Sequence, residues 1–414
     1  MIWVAVINYV AWFIFIFISM VWILTLLQNR ENVEISSKRR RKLPSVSVLI
    51  PAYNEERNIK NTIKSIFSID YPKHLLEIIV VNDGSTDKTK KIITQMKKQY
   101  KLKIINNHTN MGKAHSLNRA LKVARGELVA CMDADSIVES AIIRKMIPYL
   151  DDPKVASVTP SLKVWKTRNF LERMQHAEYI LNVFLRKMLS FIDAIHVTPG
   201  VFSIYRKNVL LDIGGFDEGN LTEDMEIALK IHDAGYMIEN NMHANSYTLC
   251  PRNWKDLSKQ RIRWYRGALN NYSKYRHMLF NKRYGNLGMF FLPANVLAVG
   301  AIIIVFFTMA LNYMGAAATS LWRGHLVGWD IMLLLGIFDI EAFTATLFST
   351  PFLLGILGLI VGAYVLYTSF SLAEGGVKSH KPTYILYLLI FPLVMMVFWI
   401  LAFIHEVAGI KKKW

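Results

Sequence analysis

Cysteine is nearly absent: Cys131 and Cys250 are the only two in 414 residues, far apart and outside any CxxC or His/Cys ligand spacing. That excludes a disulfide framework and a zinc site, and two reduced, buried thiols are expected. Acidic residues are also scarce, with 31 Asp and Glu against 49 Lys and Arg and a net charge of +18. The bases cluster beside apolar runs, at Lys38-Arg39-Arg40-Arg41-Lys42 and Lys411-Lys412-Lys413. Anionic lipid headgroups and phosphorylated substrates explain this placement better than nucleic acid, and no nucleic-acid partner is expected. Neither GxxxxGKS/T nor GxGxxG occurs, so a phosphate grip has to come from metal and point charges rather than a glycine cradle. There is no internal repeat and no low-complexity linker.

Apolar sequence is what the chain has in quantity, 53% of its residues, with a mean hydropathy of +0.25. Met1 to Leu27 carries no charge. As a helix it would extend about 40 Å, enough to cross a hydrocarbon core of about 30 Å with some tilt. It starts apolar, is too long for a signal peptide and is followed by bases, so it reads as an uncleaved anchor. The basic run after it places that flank in the cytoplasm and the N-terminus outside. Past Tyr284, the stretches Gly288 to Met314, Leu347 to Leu372 and Tyr384 to Ile404 are each long enough to span, with Pro293, Pro351 and Pro392 as kink points. Trp329 to Ala345 reads as an interfacial or re-entrant piece, because Asp339 and Glu341 make a span expensive. Four spans are expected; they put the Lys411-Lys413 tail outside, and five would put it inside. The expected organisation is a membrane helix at 1–28, a cytosolic domain with interfacial helices at 29–285 and a membrane region at 286–414.

Between the membrane segments, Val46 to Ile50, Glu77 to Val81, Lys103 to Ile105 and Glu127 to Met132 read as short buried strands. Asn58 to Phe67, Asp87 to Tyr100 and Lys113 to Ala124 have helical spacing. Such alternation predicts a mostly parallel α/β sheet covered on both faces, with ligands at the carboxyl ends of its strands. Asn169 to Val197 carries an apolar stripe and is expected at the membrane surface or in the core.

Two carboxylates stand just past the fourth strand. Asp133 and Asp135 are spaced so that hard oxygens reach one side of a loop and hold Mg²⁺ or Mn²⁺; a solvated turn is the plain alternative. Asp83, before Gly84-Ser85, suits a hydrogen bond from a base or ribose, and its neighbours equally suit a helix cap. The turn Pro51-Ala52-Tyr53-Asn54-Glu55-Glu56 offers an aromatic face and acidic groups. Lys113 follows Asn110-Met111-Gly112 at a helix start that favours an anion. Thr222-Glu223-Asp224 opens a helix, making Asp224 a candidate general base or simply an N-terminal carboxylate facing the helix dipole. In Gln260-Arg261-Ile262-Arg263-Trp264, Arg263 suits a diphosphate and Trp264 a sugar face, in a helix fit for the membrane interface.

Taken together, Asp83, Asp133-Ala-Asp135, Thr222-Glu-Asp224 and Gln260-Arg-Ile-Arg-Trp264 resemble the D, D, D, QxxRW signature of processive family 2 glycosyltransferases, over about residues 46 to 275. Cellulose, chitin and hyaluronan synthases share it; bacterial poly-β-1,6-N-acetylglucosamine and chitooligosaccharide synthases are similar in size and layout as well. The resemblance implies a GT-A fold, a Rossmann-like mixed sheet, fused to a helical transmembrane region, and inverting transfer from a UDP-sugar to a growing glycan. It implies nucleotide-sugar contacts at Pro51, Tyr53, Glu55, Asp83, Lys113 and Asp133, metal at Asp135, and Asp224 as base. Glu223, Gln260, Arg263 and Trp264 would hold acceptor and diphosphate. A multi-pass cell-membrane protein follows, with the lipid bilayer as a partner and room for an accessory membrane subunit. Single transfer to a lipid acceptor is the alternative, since glycolipid-forming relatives bear similar motifs. A scaffold that has lost catalysis would show substitutions at these carboxylates, and none is missing.

Overall fold

The computed structural model describes residues 2–32, 43–326, 328–329, 344, 348–376 and 381–410. The apolar run at Val46 forms the strand around which the soluble part is built. β1 (Val46–Ala52) lies between β2 (Leu76–Asp83) and β4 (Leu128–Met132), and β3 (Lys103–Asn107) pairs with β2, all parallel. Alternate side chains leave opposite faces of a strand. Val48, Ile50, Val80 and Ala130 pack with α2 (Ile59–Phe67), α3 (Thr89–Gln99) and α5 (Ile142–Met146). Leu49, Ile79, Val81 and Cys131 pack on the other face with α4 (Lys113–Val123) and α8 (Glu223–Asp233). Burial on both sides is why these strands read as unbroken apolar runs.

The parallel pattern does not extend across the whole sheet. Its eight strands run in the order β3-β2-β1-β4-β7-β6-β8-β5. β7 (Val201–Arg206) is antiparallel to β4 and to β6 (Val155–Val164), β8 (Met237–Thr248) is parallel to β6, and β5 (Ile137–Val138) is antiparallel to β8. β8 is rich in Asn and escapes an apolar-run reading. Its burial alternates along its length, and the Nδ2 of its buried Asn240 donates to the Thr159 carbonyl at 3.1 Å and the Thr159 hydroxyl at 3.0 Å.

α6 (Phe170–Phe191) begins with a capping box in which the Asn169 side chain accepts from the Glu172 amide at 2.8 Å and the Glu172 carboxylate accepts from the Asn169 amide at 3.0 Å. α7 (Lys207–Asp212) follows β7, and α9 (Trp254–Lys274) follows β8. α6 belongs to the interior: Leu171, Met174 and Ala177 pack with Leu366 and Phe370 of a later helix and with Tyr384 of the one after it. Its apolar stripe thus joins the sheet domain to the apolar helices.

Among the described residues, four helices are long and apolar enough to cross a membrane. They are α1 (Ile2–Gln28), α10 (Leu292–Leu326), α11 (Thr350–Glu374) and α12 (Lys381–Val407), α10 being entered through a π-helical turn at Leu287–Phe291. The segment bearing Asp339 and Glu341 and the basic runs at Lys38-Lys42 and Lys411-Lys413 lie outside the described residues. Cys131 and Cys250 are buried and free.

Candidate active site

Three parallel strands place the first carboxylates on one edge of the sheet. β2 ends in Asp83, β1 leads into Tyr53 and Glu55, and β4 leads into Asp133 and Asp135. Gly84, at φ +67°, lets the backbone of Thr109 and Asn110 come so near that a Cβ would stand 2.5 Å from the Thr109 carbonyl carbon. That approach delivers the Met111 and Gly112 amides to the Asp83 carboxylate at 3.0 and 2.8 Å, and Asn107 Nδ2 adds a third bond at 2.5 Å. The anion that this segment binds in the structure is therefore the chain's own. Across the cleft, the Tyr53 turn is tied to the 85–88 turn: Asn54 Oδ1 accepts from the Thr86 amide at 2.9 Å, and Asp87 accepts from the Glu56 amide at 3.1 Å. Tyr53 is left exposed, its ring open to a stacking partner.

Lys113 joins two of the motifs. Its ammonium lies 2.6 Å from Asp133 and 2.8 Å from Glu223. Burial works against its charge, but Asp133, Glu223 and Asp224 together raise its pKa well above the usual lysine value. Glu223 is lowered: burial raises it, but the charge and hydrogen bond of Lys113, its own amide and Arg263 together pull it down. A β-bulge between Cys131 and Met132 precedes Asp133, and the Asp133 amide donates to the Gly200 carbonyl at 3.1 Å.

Two carboxylates are left without a cation. Burial first, then Asp133 and Glu55, push Asp135 up to about 7. Burial first, then Glu223, push Asp224 up to about 6. Asp224 starts α8, where its Oδ1 accepts only from the next amide, Met225, at 2.9 Å. Among the described residues no three His, Cys, Asp or Glu side chains converge as a metal cage. The donor set nevertheless fits a hard divalent ion held through few carboxylates, with water and substrate phosphates as its other ligands. Asp135 is a half-buried carboxyl crowded by Asp133 and Glu55, and among the described residues it has no ion-pair partner of its own.

The last motif arrives on α9. Gly267 lets α9 lie directly on Thr222, since a Cβ would fall 2.9 Å from the Thr222 Cβ, and Asn271 Nδ2 donates to the Thr222 hydroxyl at 3.0 Å. Gln260 Oε1 is buried with no hydrogen-bond partner in the protein. The Arg261 guanidinium lies 4.1 Å from the Trp264 ring centroid and pairs with Glu178 of α6 at 2.5 Å. Arg261 is fully buried, an anchor the sequence reading passed over although it sits inside the motif.

One cavity of about 1150 Å³ brings the motifs together. Pro51, Tyr53, Glu55, Asp83, Lys113, Asp133, Asp135, Glu223, Asp224, Gln260, Arg263 and Trp264 all line it. So do residues the sequence did not single out: Tyr179 and Arg186 of α6, His196, Trp22 of α1, Phe290 and Ala298 beside and within α10, and Trp399 of α12. Nothing in their spacing marks them, since all but His196, which lies in the irregular segment after α6, come from helical turns whose apolar patterns serve packing equally well.

The sequence profile of the family described as glycosyl transferase family 2 matches residues 47–214. The poly-beta-1,6-N-acetyl-D-glucosamine synthase of Staphylococcus epidermidis is 33% identical over 229 residues, 55% of this chain and 55% of that protein. The synthase of the same name from Staphylococcus aureus (strain COL) is 30% identical over 262 residues, 61% of this chain and 63% of that protein. The matches therefore span somewhat over half the length of these relatives. A mannosyltransferase from Pyrobaculum calidifontis, solved in complex with GDP-Man and Mn2+, aligns at a TM-score of 0.63 over 98% of this chain and 100% of its own, with 19% identity, a likeness of fold. With its GT-A-like mixed sheet, the motif-bearing edge of that sheet and these relatives, the chain carries a glycosyl transferase family 2 domain at residues 47–214.

Proposed function

We propose that the chain is a membrane-embedded inverting glycosyltransferase that polymerises a β-linked glycan from a UDP-sugar, UDP-N-acetylglucosamine being favoured, and passes the product between its own helices. The observation that carries this reading is the continuity of one cavity, from Tyr53, Asp83 and Asp135 at the sheet edge, past Asp224, to Trp22, Phe290 and Trp399 on the apolar helices. The names of the staphylococcal relatives support the sugar and the linkage class.

In this reading the base stacks on Tyr53, and Asp83 holds the loop that closes over the nucleotide. Asp135, with Asp133 beside it, would hold Mg²⁺ or Mn²⁺, which when bound neutralises charge on a diphosphate leaving group. Lys113 fixes Asp133 and Glu223 in place. Asp224 takes the proton from the acceptor hydroxyl as that oxygen attacks the anomeric carbon; the leaving oxygen departs on the opposite face with the bonding pair, inverting the configuration. Arg263 meets the diphosphate and Trp264 gives the acceptor sugar a flat face. By the positive-inside tendency the domain at 29–285 faces the cytoplasm and the helices of 1–28 and 286–414 sit in the cell membrane.

The test is incubation of the purified full chain in lipid with UDP-sugars and Mg²⁺ or Mn²⁺, following UDP release and product length. Long β-linked chains are expected from one UDP-sugar. A product of one sugar on a lipid would replace polymerisation with single transfer, and absence of UDP release from every donor would reject the activity.

A further inference from the structure

The cavity continues past Asp224 to a wall made by Trp22 of α1, Leu185 and Leu189 of α6, and Phe290 and Ala294 at the start of α10. In this apolar end stands Arg186, whose Nη1 is buried with no hydrogen-bond partner in the protein. Burial draws its pKa down to about 10, so the guanidinium remains charged at neutral pH. Asp224 and Tyr179 act on it from a distance, but Asp224 gives its Oδ1 to the Met225 amide. Lys113, on the same cavity, is committed to Asp133 and Glu223, and Arg261, beneath it, to Glu178, while Arg263 lines the cavity on α9 beside Trp264. His196, its ring tilted against that of Phe291 with 4.4 Å between centroids, also has a buried ring nitrogen, Nδ1, without a partner. Burial first, then Arg186, hold its pKa down to about 3, so it is neutral.

A half-buried guanidinium whose Nη1 is sealed from solvent among apolar walls with no acceptor is unfavourable unless an anion joins it. The walls are membrane-type helices, so an anion arriving from their side carries an apolar tail. In a bilayer the anionic heads available are phosphates, which a guanidinium recognises well. We infer that Arg186 and His196 form a binding site for the phosphate head of a lipid whose tail lies against Trp22, Phe290 and Ala294. This site needs α1 and α10 to face lipid but does not need the sugar-transfer reading, and a binding assay without UDP-sugar separates the two.

The test titrates the full-length protein, in a neutral maltoside detergent, with dodecyl phosphate and reads bound ligand by native mass spectrometry. Saturable binding is expected, at least about tenfold weaker in Arg186→Gln, the scale of one charge-assisted hydrogen bond. Dodecanol and inorganic phosphate should not bind at the same concentrations. Loss of an unpaired buried charge leaves Arg186→Gln folded, which its thermal midpoint without ligand will report; Ala294→Trp, which fills the tail position, is the second variant and is also expected to lose dodecyl phosphate. Equal affinity in wild type and both variants overturns the site. Equal binding of inorganic phosphate overturns the lipid assignment, and displacement of dodecyl phosphate by UDP alone would assign Arg186 to the donor end instead.

Discussion

At Asp224 the demands of a general base oppose those of stability. Its carboxyl is raised to about 6, by burial and then by Glu223. Because the folded value lies above the unfolded one of about 4, its contribution to stability is fully present below about pH 4 and is lost as pH rises through about 6. Asp224→Asn should therefore lower turnover by about 10²-fold or more while leaving donor binding intact. It should also raise the thermal midpoint, by an amount of order 1 to 3 kcal/mol in stability at pH 8 and by less at pH 5. Turnover measurements and thermal denaturation at the two pH values check both parts; comparable turnover would remove Asp224 from the role. In the wild type the base is ionised above pH 6, so turnover should fall as the pH is lowered through that value. Asp135→Ala should abolish both activity and its dependence on Mg²⁺ or Mn²⁺, read as UDP release across a metal titration.

Among the elements, α6, α8 and α9 decide whether the motifs meet. Fully buried Arg261 pairs with half-buried Glu178 between α9 and α6. Arg261→Ala leaves the Glu178 carboxylate alone and should cost about 3–5 kcal/mol. Arg261→Met with Glu178→Leu should recover most of that stability, because two apolar side chains of similar volume need no counter-charge. A denaturation series on the two variants measures it. Gly267 governs the contact of α9 with the Thr222 turn. Gly267→Ala adds helix propensity worth about 1 kcal/mol but pushes Gln260 and Trp264 away from Asp224. A rate loss of about tenfold or more with a near-native thermal midpoint is expected, since small misplacements are expensive in catalysis.

How much of this was readable in advance differs from element to element. The strands before Asp83 and Asp133 announce themselves as apolar runs because both faces of the sheet are covered there. β6, β7 and β8 do not: β8 alternates burial and spends Asn240 on bonds inside the sheet, and β7 breaks the parallel expectation by running antiparallel to β4 and β6. α6 showed its apolar stripe, but whether that stripe faced lipid or protein depended on α11 and α12 lying over it.

For the whole molecule, the cavity links a polar edge to an apolar helical wall, and transfer and export would share it. Ala298→Trp on α10 should narrow the far end without touching the carboxylates. The initial rate of UDP release should then stay near wild type while the product becomes shorter, measured by sizing the glycan. Unchanged length would separate the helical end of the cavity from the path of the product.

The sequence alone determined which chemically apt residue types are present and the four membrane-length apolar helices among the described residues, because both depend on residue type and local spacing: carboxylates after buried strands, a tryptophan and arginines at helical intervals, runs of membrane length. Only the tertiary structure decided that Asp83, Asp135, Asp224 and Trp264 share one cavity, that Asp83 is spent on the Met111 and Gly112 amides, and that Arg186 stands unpaired beside them. Those outcomes depend on which side chains reach each other across long loops, and such distances are set by how sheet and helices pack, which no local pattern encodes.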